Sequence, residues 1–421
     1  MSQPTAPPMP ARSIPENSRS TGAETPAGTF ARTAADRVGS SAVRDLLRLA
    51  GRPGLLSLAG GLPDPGSFPA AAISTATAAI LANEPAAALQ YAPTEGDPEL
   101  RSWILAHRSA GPANDVLVTH GSQQALDLIV RATVEPGEPV VVADPAYVGA
   151  IQILRLARAD IVGIPADDEG LDVAALATRL AAGLRPRLVY TVSTFHNPTG
   201  ATLTDERRRH LAALADRYGF LIVEDDPYGE LRWAGPRPAP LASCSERVVT
   251  LGSFSKVLSP GLRVGYAVGP TDLIADLVLV KQAADLQTAT LNQAIIRDVV
   301  TRPGWFDAHV EGLRTTYRDR AAALADALDR HLGAEIDLAP PQGGMFVWIT
   351  FRDQRLDTRA LLAAAIERGV AFVPGDAFAV HRDLRRSARL SFATADAIEL
   401  DEAAARLADA FAATVAVAVS R

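Results

Sequence analysis

The stretch LGSFSKVLSPGLRVGY, residues 251–266, has the pattern of a strand end, a tight loop and a return into a second strand. Lys256 lies in the loop, between Ser253 and Ser255 on one side and Arg263 on the other. A lysine that attacks an aldehyde needs a lowered pKa and a fixed position, which burial and a neighbouring cation supply. Two hydroxyls and a guanidinium can also bind a phosphate. The stretch predicts a reactive lysine beside an anion site, although taken alone it fits a solvated lysine in a surface turn equally well.

The sequence around this stretch alternates between strands and helices from residue 96 to about residue 300. The predicted strands are 115–119, 139–144, 160–165, 188–193, 220–225 and 247–253, and the predicted helices are 122–134, 150–157, 173–185 and 204–218. Nearly continuous apolar strands are typical of strands buried on both faces, so the pattern predicts an α/β fold with a mostly parallel sheet. Ligands of such sheets bind beyond the carboxyl ends of the strands.

The remaining segments suggest three further units. Residues 1–38 are rich in Pro, Ser, Thr, Gly and Ala, and this composition predicts a disordered N-terminal tail. Residues 39–69 contain a short amphipathic helix and a Gly/Pro-rich stretch, which we interpret as an arm with a lid helix. Residues 70–300 form the predicted large domain. In residues 301–421, helices near 304–332 and 358–368 and from 398 alternate with short strands and predict a smaller α+β domain.

Composition excludes several classes of function. The chain has 421 residues, 48% of them hydrophobic, and a net charge of −7, which argues against a nucleic-acid partner. A single cysteine, Cys244, excludes an intramolecular disulfide and a multi-cysteine metal site, and we predict no metal. We find no apolar stretch of bilayer length and no signal peptide, so we expect no membrane partner and a soluble, cytoplasmic protein.

Polar and aromatic residues follow the predicted strands at several points: Ser122, Gln123, Tyr147, Asn197, Asp225 and Tyr228. Ser122 and Gln123 begin a helix directly after a strand, where backbone amides and the helix dipole attract an anion. Asp225 could keep a pyridine nitrogen protonated, so that the ring accepts electrons. Each position also has an ordinary alternative, namely a helix cap, a packed aromatic ring or a surface carboxylate.

Taken in order, the motifs G-S-Q, P-x-Y, N-P-T-G, D-x-x-Y and S-x-S-K-x-x-x-P-G-x-R resemble the cofactor pocket of class I/II aminotransferases, which are fold-type I pyridoxal-phosphate enzymes. The resemblance covers about residues 40–421 and implies pyridoxal 5′-phosphate as cofactor. It also implies that Lys256 is the Schiff-base lysine and that Asp225 pairs with the pyridine nitrogen. By the same resemblance, Asn197 and Tyr228 bind the 3-hydroxyl group, and Tyr147 stacks on the ring.

The resemblance extends to the phosphate, the substrate and the partner subunit. It assigns the phosphate to Ser122, Gln123, Ser253, Ser255 and Arg263. Arg389 in ARLSFA matches the arginine that binds the substrate α-carboxylate, a planar anion that suits a bidentate guanidinium. Tyr91 in LQYAPTEG matches a tyrosine that reaches the phosphate of the neighbouring subunit, which implies a homodimer with shared active sites.

The arm SAVRDLLRLAGRPGLLSLAGGLPDPGSFP resembles the subgroup of 2-aminoadipate and broad-range aminotransferases. In that subgroup the first helix is a mobile lid. The resemblance implies that Arg44 meets a distal acidic group of the substrate, and that Gly61 and Asn197 lie against the substrate.

We therefore predict a ping-pong aminotransferase that moves an amino group from an L-α-amino acid to a 2-oxo acid, 2-oxoglutarate or pyruvate. A lyase or decarboxylase on the same fold remains an alternative, because a fold does not determine the reaction. Arg389 favours transamination, since it retains the α-carboxylate. A second alternative is the effector domain of a transcription regulator, which the short segment of about 38 residues before the first predicted helix disfavours.

Overall fold

The computed structural model describes residues 33–38, Leu46, 52–108 and 114–419. In these ranges the strands are β1 (Leu56–Ser57), β2 (Asn114–Thr119), β3 (Pro139–Asp144), β4 (Asp160–Asp167), β5 (Gly170–Leu171), β6 (Leu188–Thr191), β7 (Leu221–Asp225), β8 (Val248–Ser253), β9 (Gly265–Pro270), β10 (Ile336–Leu338), β11 (Phe346–Phe351), β12 (Val370–Ala371), β13 (Val373–Pro374) and β14 (Ser387–Ser391). The helices are α1 (Thr33–Val38), α2 (Ala70–Asn83), α3 (Pro85–Leu89), α4 (Pro98–Arg108), α5 (Ser122–Thr133), α6 (Val148–Ala157), α7 (Val173–Ala181), α8 (Asp205–Tyr218), α9 (Thr271–Ala284), α10 (Thr290–Val300), α11 (Trp305–Leu332), α12 (Thr358–Glu367) and α13 (Ala397–Val419).

The large sheet of the described chain has eight strands in the order β2-β9-β8-β7-β6-β3-β4-β5. Strands β8, β7, β6, β3 and β4 pair in parallel, whereas β9 runs antiparallel to both β8 and β2. The short β5 is also antiparallel to its neighbour β4. The predicted mostly parallel sheet is therefore confirmed, and the carboxyl ends of β3, β6, β7 and β8 meet along one edge.

The apolar strands lie between two hydrophobic cores. On β3, Val140 and Val142 belong to one core, while Val141 and Ala143 belong to the other. Side chains of a strand alternate between its faces, so a run such as PVVVAD fills both cores only when helices cover the sheet on both sides. This explains why these strands are continuously apolar.

Local signals set the helix ends. The side chain of Asp172 accepts a hydrogen bond from the N–H of Ala175 at 2.9 Å, which caps α7. Thr204 caps α8 in the same way, and Gly219 ends that helix in the left-handed conformation, at φ 79°. The two N-caps determine where α7 and α8 begin, and Gly219 determines where α8 ends before the next strand.

A second, four-stranded sheet follows in the order β10-β11-β14-β13, with antiparallel pairs throughout. The small C-terminal sheet is thus confirmed. The arm joins this region, because β1 pairs in parallel with β12 and the N–H of Ser391 donates to the carbonyl of Leu58 at 2.7 Å. The predicted domain boundaries lie where α2 begins at Ala70 and after α10 ends at Val300. The division into domains remains our proposal.

The structure differs from the sequence-based prediction at several helix ends. Residues 33–38, which we assigned to a disordered tail, form helix α1, which contacts α6. Helix α6 begins at Val148, two residues before the predicted start, and α7 ends at Ala181, before the predicted residue 185. Most of the predicted lid helix lies outside the described residues. Its Leu46 is buried in a cluster with Ala59, Val373 and Phe378. Among the described residues, no helix is long and apolar enough to cross a membrane.

Candidate active site

Lys256 lies in the loop between β8 and β9, and its Nζ donates a hydrogen bond to the carbonyl oxygen of Gly61 at 2.7 Å. The pKa of Lys256 is lowered to about 8, chiefly by burial. The positive charges of Arg389 and Arg263 lower this pKa further, while Asp225 opposes them. The lowered pKa increases the fraction of neutral amine near neutral pH, and the neutral form is the nucleophile.

Asp225 ends strand β7 and is 4% exposed. Its Oδ2 accepts a hydrogen bond from the hydroxyl of Tyr190 at 2.8 Å, whereas its Oδ1 has no hydrogen-bond partner among the described residues. Burial raises the pKa of Asp225 to about 7, against the hydrogen bond from Tyr190, and the neighbouring Asp226 raises it further. Since an unsatisfied buried acceptor is costly, this oxygen marks a place for a donor from a bound molecule.

The start of α5 lies against the end of the lysine loop, an arrangement that suits an anion. Gly121 has φ 79° and lies against Gly265 of β9, where a Cβ would be 2.6 Å from the Gly121 Cα. Arg263 also has a positive φ, 52°, and its Nη2 donates to the carbonyl of His120 at 3.1 Å. Ser122 begins the helix, whose first N–H groups lack intrahelical partners. The two glycines let the two backbones come into contact. We call the start of α5 at Ser122, together with Arg263, the anion cup; it combines helix N–H groups with the charge of Arg263.

The predicted hydroxyl and amide groups lie next to this cup. The side-chain oxygen of Ser253 accepts the N–H of Ser255 at 3.1 Å, which shapes the turn before Lys256. Tyr147 donates from its hydroxyl to Oε1 of Gln123 at 3.2 Å. Burial raises the pKa of Tyr147 to about 12, with a contribution from the charge of Asp225. The tyrosine therefore stays protonated and presents a neutral aromatic ring.

A partly buried network around Lys281 was not predicted from the sequence. Lys281, the only other lysine of the chain, is fully buried and donates to Asp285 at 2.7 Å and to Gln124 at 3.1 Å. Gln124 accepts the N–H of His120 at 2.8 Å and donates to Asp285 at 2.5 Å. The network ties the end of α9 to the first turn of α5. A lysine four residues before an aspartate on one helix was the signal that could have revealed it.

Arg389 on β14 is buried between two phenylalanine rings. Its guanidinium carbon lies 4.3 Å from the ring centre of Phe346 and 5.0 Å from that of Phe378. Nη1 donates to Asn197 at 2.8 Å and Nη2 donates to the carbonyl of Ala59 at 2.6 Å, but Nε has no partner in the described part of the chain. Burial lowers the pKa of Arg389 to about 10, so the group remains cationic and retains a free donor.

Asn197 contacts both the guanidinium of Arg389 and the hydroxyl of Tyr228. Asn197 lies in the turn after β6, and a hydrogen bond from it to the Tyr228 hydroxyl lowers the pKa of that tyrosine. Burial has the larger effect and raises the pKa of Tyr228 well above its usual value. Tyr228 packs edge-on against Phe346, with the ring centres 5.8 Å apart. The amide and the phenol are thus held close to both Asp225 and Arg389.

One predicted residue, Tyr91, is not brought into this site, because it is 77% exposed on the surface of the chain. Arg44 lies outside the described residues. Gly61, by contrast, contacts Lys256 through its carbonyl, and a Cβ at Gly61 would be 3.1 Å from the ring of Phe346. Tyr190, which holds Asp225, was missed. A tyrosine within the apolar strand LVYT, beside the strand that ends at Asp225, was its only sequence signal.

The described residues therefore provide an anion cup, an amine with a lowered pKa, a buried carboxylate oxygen without a donor, and a buried guanidinium with a free N–H. A pyridine ring that bears a phosphate, an aldehyde and a ring N–H has one group for each of the first three, and a substrate carboxylate suits the fourth. The residues thus fit a pyridoxal phosphate cofactor.

Comparison with known proteins agrees with this geometry. The family model described as aminotransferase class I and II matches residues 55–407. The chain is 40% identical over 381 residues to aromatic-amino-acid aminotransferase 1 of Thermococcus litoralis, which covers 88% of this chain and 91% of that protein. It is also 40% identical over 378 residues to 2-aminoadipate transaminase of Thermus thermophilus, and this match covers 89% of this chain and 94% of that protein.

The chain belongs to the class I and II aminotransferases. Its fold is also similar to that of the kynurenine aminotransferase of Pyrococcus horikoshii, solved in complex with PMP, at a TM-score of 0.86 and 38% identity, with 91% of this chain and 97% of that chain covered. The enzyme is an aminotransferase that uses pyridoxal 5′-phosphate and acts on amino acids and oxo acids. These findings favour transamination over the lyase and regulator alternatives.

Proposed function

We propose that this aminotransferase transfers the amino group of an L-α-amino acid to 2-oxoglutarate or pyruvate by a ping-pong mechanism centred on Lys256. The observation that supports this most directly is the charge arrangement around the Lys256 amine. Burial lowers its pKa, Arg389 and Arg263 lower it further, and Asp225 opposes them. In the described part of the chain, Asp225 and Arg389 each retain a buried polar atom without a hydrogen-bond partner. Reactive amine, electron-sink partner and carboxylate site are thus assembled by one chain.

The proposed cofactor contacts follow the geometry of the site. The phosphate would be held by Ser122, Gln123, Ser253, Ser255 and Arg263. Asp225 would pair through its free Oδ1 with the pyridine N–H, and Tyr147 would lie on the ring face. Asn197 and Tyr228 would bind the 3-hydroxyl group. When bound, the ring supplies a conjugated system that accepts the electron pair of the substrate Cα–H bond.

In this proposal Lys256 both holds the cofactor and moves a proton. Once released, its Nζ would take the proton from the substrate Cα and later give it up again, as a general base and then a general acid. A pKa of about 8 lies near neutral pH, where a group can both accept and release a proton efficiently. The carbonyl of Gly61, 2.7 Å away, can orient the amine when it is released.

Arg389 would bind the substrate α-carboxylate. Its pKa of about 10 keeps it cationic, and its guanidinium lies against the rings of Phe346 and Phe378. Its Nε has no hydrogen-bond partner among the described residues. Retention of the carboxylate leaves the Cα–H bond as the one that breaks, which directs the reaction toward transamination. Asn197 supports the guanidinium from one side at 2.8 Å.

We also propose that the enzyme is a homodimer with shared active sites. Leu89, two residues before Tyr91, is 69% exposed, and Leu286, on a second segment, is 45% exposed. The chain segments that carry them are joined, since Thr290 donates to the carbonyl of Gln90 at 3.2 Å. Exposed apolar side chains on adjoining segments suit a subunit interface. In such an interface Tyr91 would reach the phosphate of the partner subunit.

The names of the relatives suggest two kinds of amino donor, aromatic amino acids and 2-aminoadipate. A panel of purified amino acids with 2-oxoglutarate and with pyruvate, followed by detection of the matching oxo acid, tests the proposed function. We expect at least one aromatic or long acidic donor to yield its oxo acid in equal amount with the aminated acceptor. Release of carbon dioxide or ammonia without an aminated acceptor would contradict the proposal.

The proposed role of Arg44 in selectivity can be tested in the same assay. A charge-assisted contact with a distal carboxylate is worth about 1.5 to 3 kcal/mol, or roughly ten- to a hundredfold. Arg44→Ala is therefore expected to lower kcat/KM for 2-oxoglutarate more than for leucine or phenylalanine, each measured in its own half-reaction. Equal losses, or none, would leave the arginine without a role in selectivity.

A further inference from the structure

Asp144, the last residue of β3, is not among the residues assigned to cofactor or substrate. Its side chain is 1% exposed. Oδ1 accepts the N–H of Val380 at 3.0 Å, and Oδ2 accepts those of His381 at 2.8 Å and Arg382 at 3.0 Å. One carboxylate on the large sheet thus holds three consecutive backbone amides of the segment between β13 and β14.

Other hydrogen bonds join the same two segments. The N–H of Ala146 donates to the carbonyl of Phe378 at 2.9 Å. Nη1 of Arg382 donates to the carbonyls of Asp144 at 3.1 Å and Ala166 at 3.0 Å. We call this set of contacts between residues 144–146 and 378–382 the Asp144 joint. It crosses from the edge of the large sheet to the region of the small sheet.

The neighbouring strand leaves room for the joint. A Cβ at Gly163 of β4 would lie 3.1 Å from Oδ2 of Asp144 and 3.1 Å from the Cβ of Val380. Such contacts are closer than ordinary packing, so a side chain at this position would press on both halves of the joint. Glycine allows the carboxylate and the 380–382 backbone to lie directly over β4.

Each side of the joint leads within a few residues to the active site. Tyr147, the proposed cofactor-stacking ring, is three residues after Asp144. Phe378 is two residues before Val380, and its ring lies 5.0 Å from the guanidinium carbon of Arg389. We propose that Asp144 is a positioning residue that sets the distance between the ring under the cofactor and the guanidinium that binds the α-carboxylate. This inference rests on the proposed roles of Tyr147 and Arg389.

The chemistry of the joint requires a carboxylate. Two carboxylate oxygens only accept hydrogen bonds and can satisfy three N–H donors, whereas an asparagine offers one accepting oxygen and an NH2 group that donates. Asp144→Asn therefore keeps the size of the side chain but places a donor against at least one backbone N–H. The expected result is a displaced 378–382 segment, and with it a displaced Arg389.

The test compares Asp144→Asn with a matched control, Asp376→Asn. The Asp376 side chain accepts the N–H of Leu384 at 3.2 Å, a contact that remains on the side of the small sheet. Calorimetry on the cofactor-loaded enzyme gives the Kd of 3-phenylpropanoate, which has a carboxylate but no amine. Single-turnover rates with L-phenylalanine and with 2-phenylethylamine, which lacks the carboxylate, give the preference for an α-carboxylate.

For Asp144→Asn we expect about a tenfold weaker Kd for 3-phenylpropanoate and about a tenfold smaller rate ratio of phenylalanine to phenylethylamine, as for one lost charge-assisted contact. Asp376→Asn should keep both at the wild-type value. Equal losses with the two amines, an unchanged Kd, or the same effect in the control would overturn the proposal. If Asp144→Asn does not fold, Gly163→Ala decides, with a smaller loss in the same direction expected and an unchanged Kd overturning it.

The wild-type enzyme separates this inference from the proposed function on which it rests. A wild-type enzyme that does not prefer phenylalanine over phenylethylamine would contradict the role of Arg389 itself. A wild-type preference that persists in Asp144→Asn would contradict only the role of the joint.

Discussion

Glu224 and Asp225 are neighbours on β7, both buried, yet their surroundings differ completely. The carboxylate of Glu224 accepts three hydrogen bonds from the chain, donated by Arg208 at 2.9 Å, Ser193 at 2.6 Å and Thr250 at 3.1 Å. Asp225 has a single partner, Tyr190, and one oxygen without any among the described residues. Because adjacent residues of a strand face opposite sides of the sheet, one carboxylate lies in a finished network and the other in the active site.

The same contrast separates the two lysines and two buried arginines. Lys281 donates to both Asp285 and Gln124, while the hydrogen bond of Lys256 among the described residues goes to the carbonyl of Gly61. All three side-chain nitrogens of Arg208 have acceptors, whereas Nε of Arg389 has none among the described residues. An unsatisfied buried polar group is costly, so its retention indicates a partner that arrives with the ligand. We infer that the buried groups with a full set of partners stabilise the fold, and that those without one bind cofactor and substrate.

The largest effect is expected at Lys256. Lys256→Ala should lower turnover by about four orders of magnitude, because nucleophile and proton carrier are lost together. In the wild-type enzyme, borohydride should fix the cofactor to Lys256, as mass spectrometry of peptides would show. Lys281→Arg is the matched control and should keep the label on Lys256. A reduced adduct on Lys281, or on neither lysine, would break the contrast between the two.

The two carboxylates of β7 should respond in opposite ways. Asp225→Asn should lower turnover by about a hundredfold or more, because the electrostatic partner of the ring is lost. Its apoprotein should be no less stable, since the side chain makes few contacts. Glu224→Ala should instead cost about 3 to 5 kcal/mol of unfolding free energy, because it leaves the buried Arg208 unpaired.

Turnover per folded molecule and urea unfolding, measured on both variants, separate the two roles. Asp225→Ala, which also removes the hydrogen bond from Tyr190, should lose turnover at least as severely. Near-normal turnover of either Asp225 variant at saturating cofactor would show that this carboxylate is structural.

Tyr91 extends the comparison to the surface, because its ring is exposed in the single chain and would be buried by the partner subunit in the proposed dimer. A Lys256→Ala chain mixed with a Tyr91→Ala chain should form heterodimers in which one of two sites is intact, with about half of the wild-type turnover per dimer. Each variant alone should be strongly impaired. Absence of recovered activity in verified heterodimers would indicate active sites built within single chains.

The smallest effect is expected in the pH dependence of apoprotein stability. The folded-state pKa of Asp225, about 7, is raised above the ordinary value of 3.8 for an aspartate, chiefly by burial. Between these two pKa values the folded state keeps the proton that the unfolded state loses. The free energy of unfolding therefore falls as the pH rises from about 4 to about 7, by a few kcal/mol at most. Asp225→Asn should remove this fall, as urea unfolding across that range would show. Parallel pH profiles for both proteins would contradict the raised pKa.

Much of the fold could be predicted because the apolar strands and the ends of their helices are encoded locally. Residues at the strand ends, such as Asp225 and Asn197, could be placed at one edge because parallel strands share a direction. Contacts between distant segments could not be predicted in this way. The bond from Tyr190 to Asp225 needs the register of two strands, and the link from Lys256 to Gly61 joins residues 195 positions apart. Such pairings depend on tertiary packing, which leaves no local pattern.

The burial of Lys281 has a consequence for labelling and immobilisation of the enzyme. Of the 41 basic residues only two are lysines, and one of these is fully enclosed and bound to Asp285 while the other is in the active site. Amine-directed dyes, cross-linkers and resins therefore find almost no side-chain target except Lys256. An aldehyde such as the cofactor itself faces the same restriction, because arginine does not form stable imines with it. The chain thus avoids stray condensation by carrying its surface positive charge on guanidinium groups.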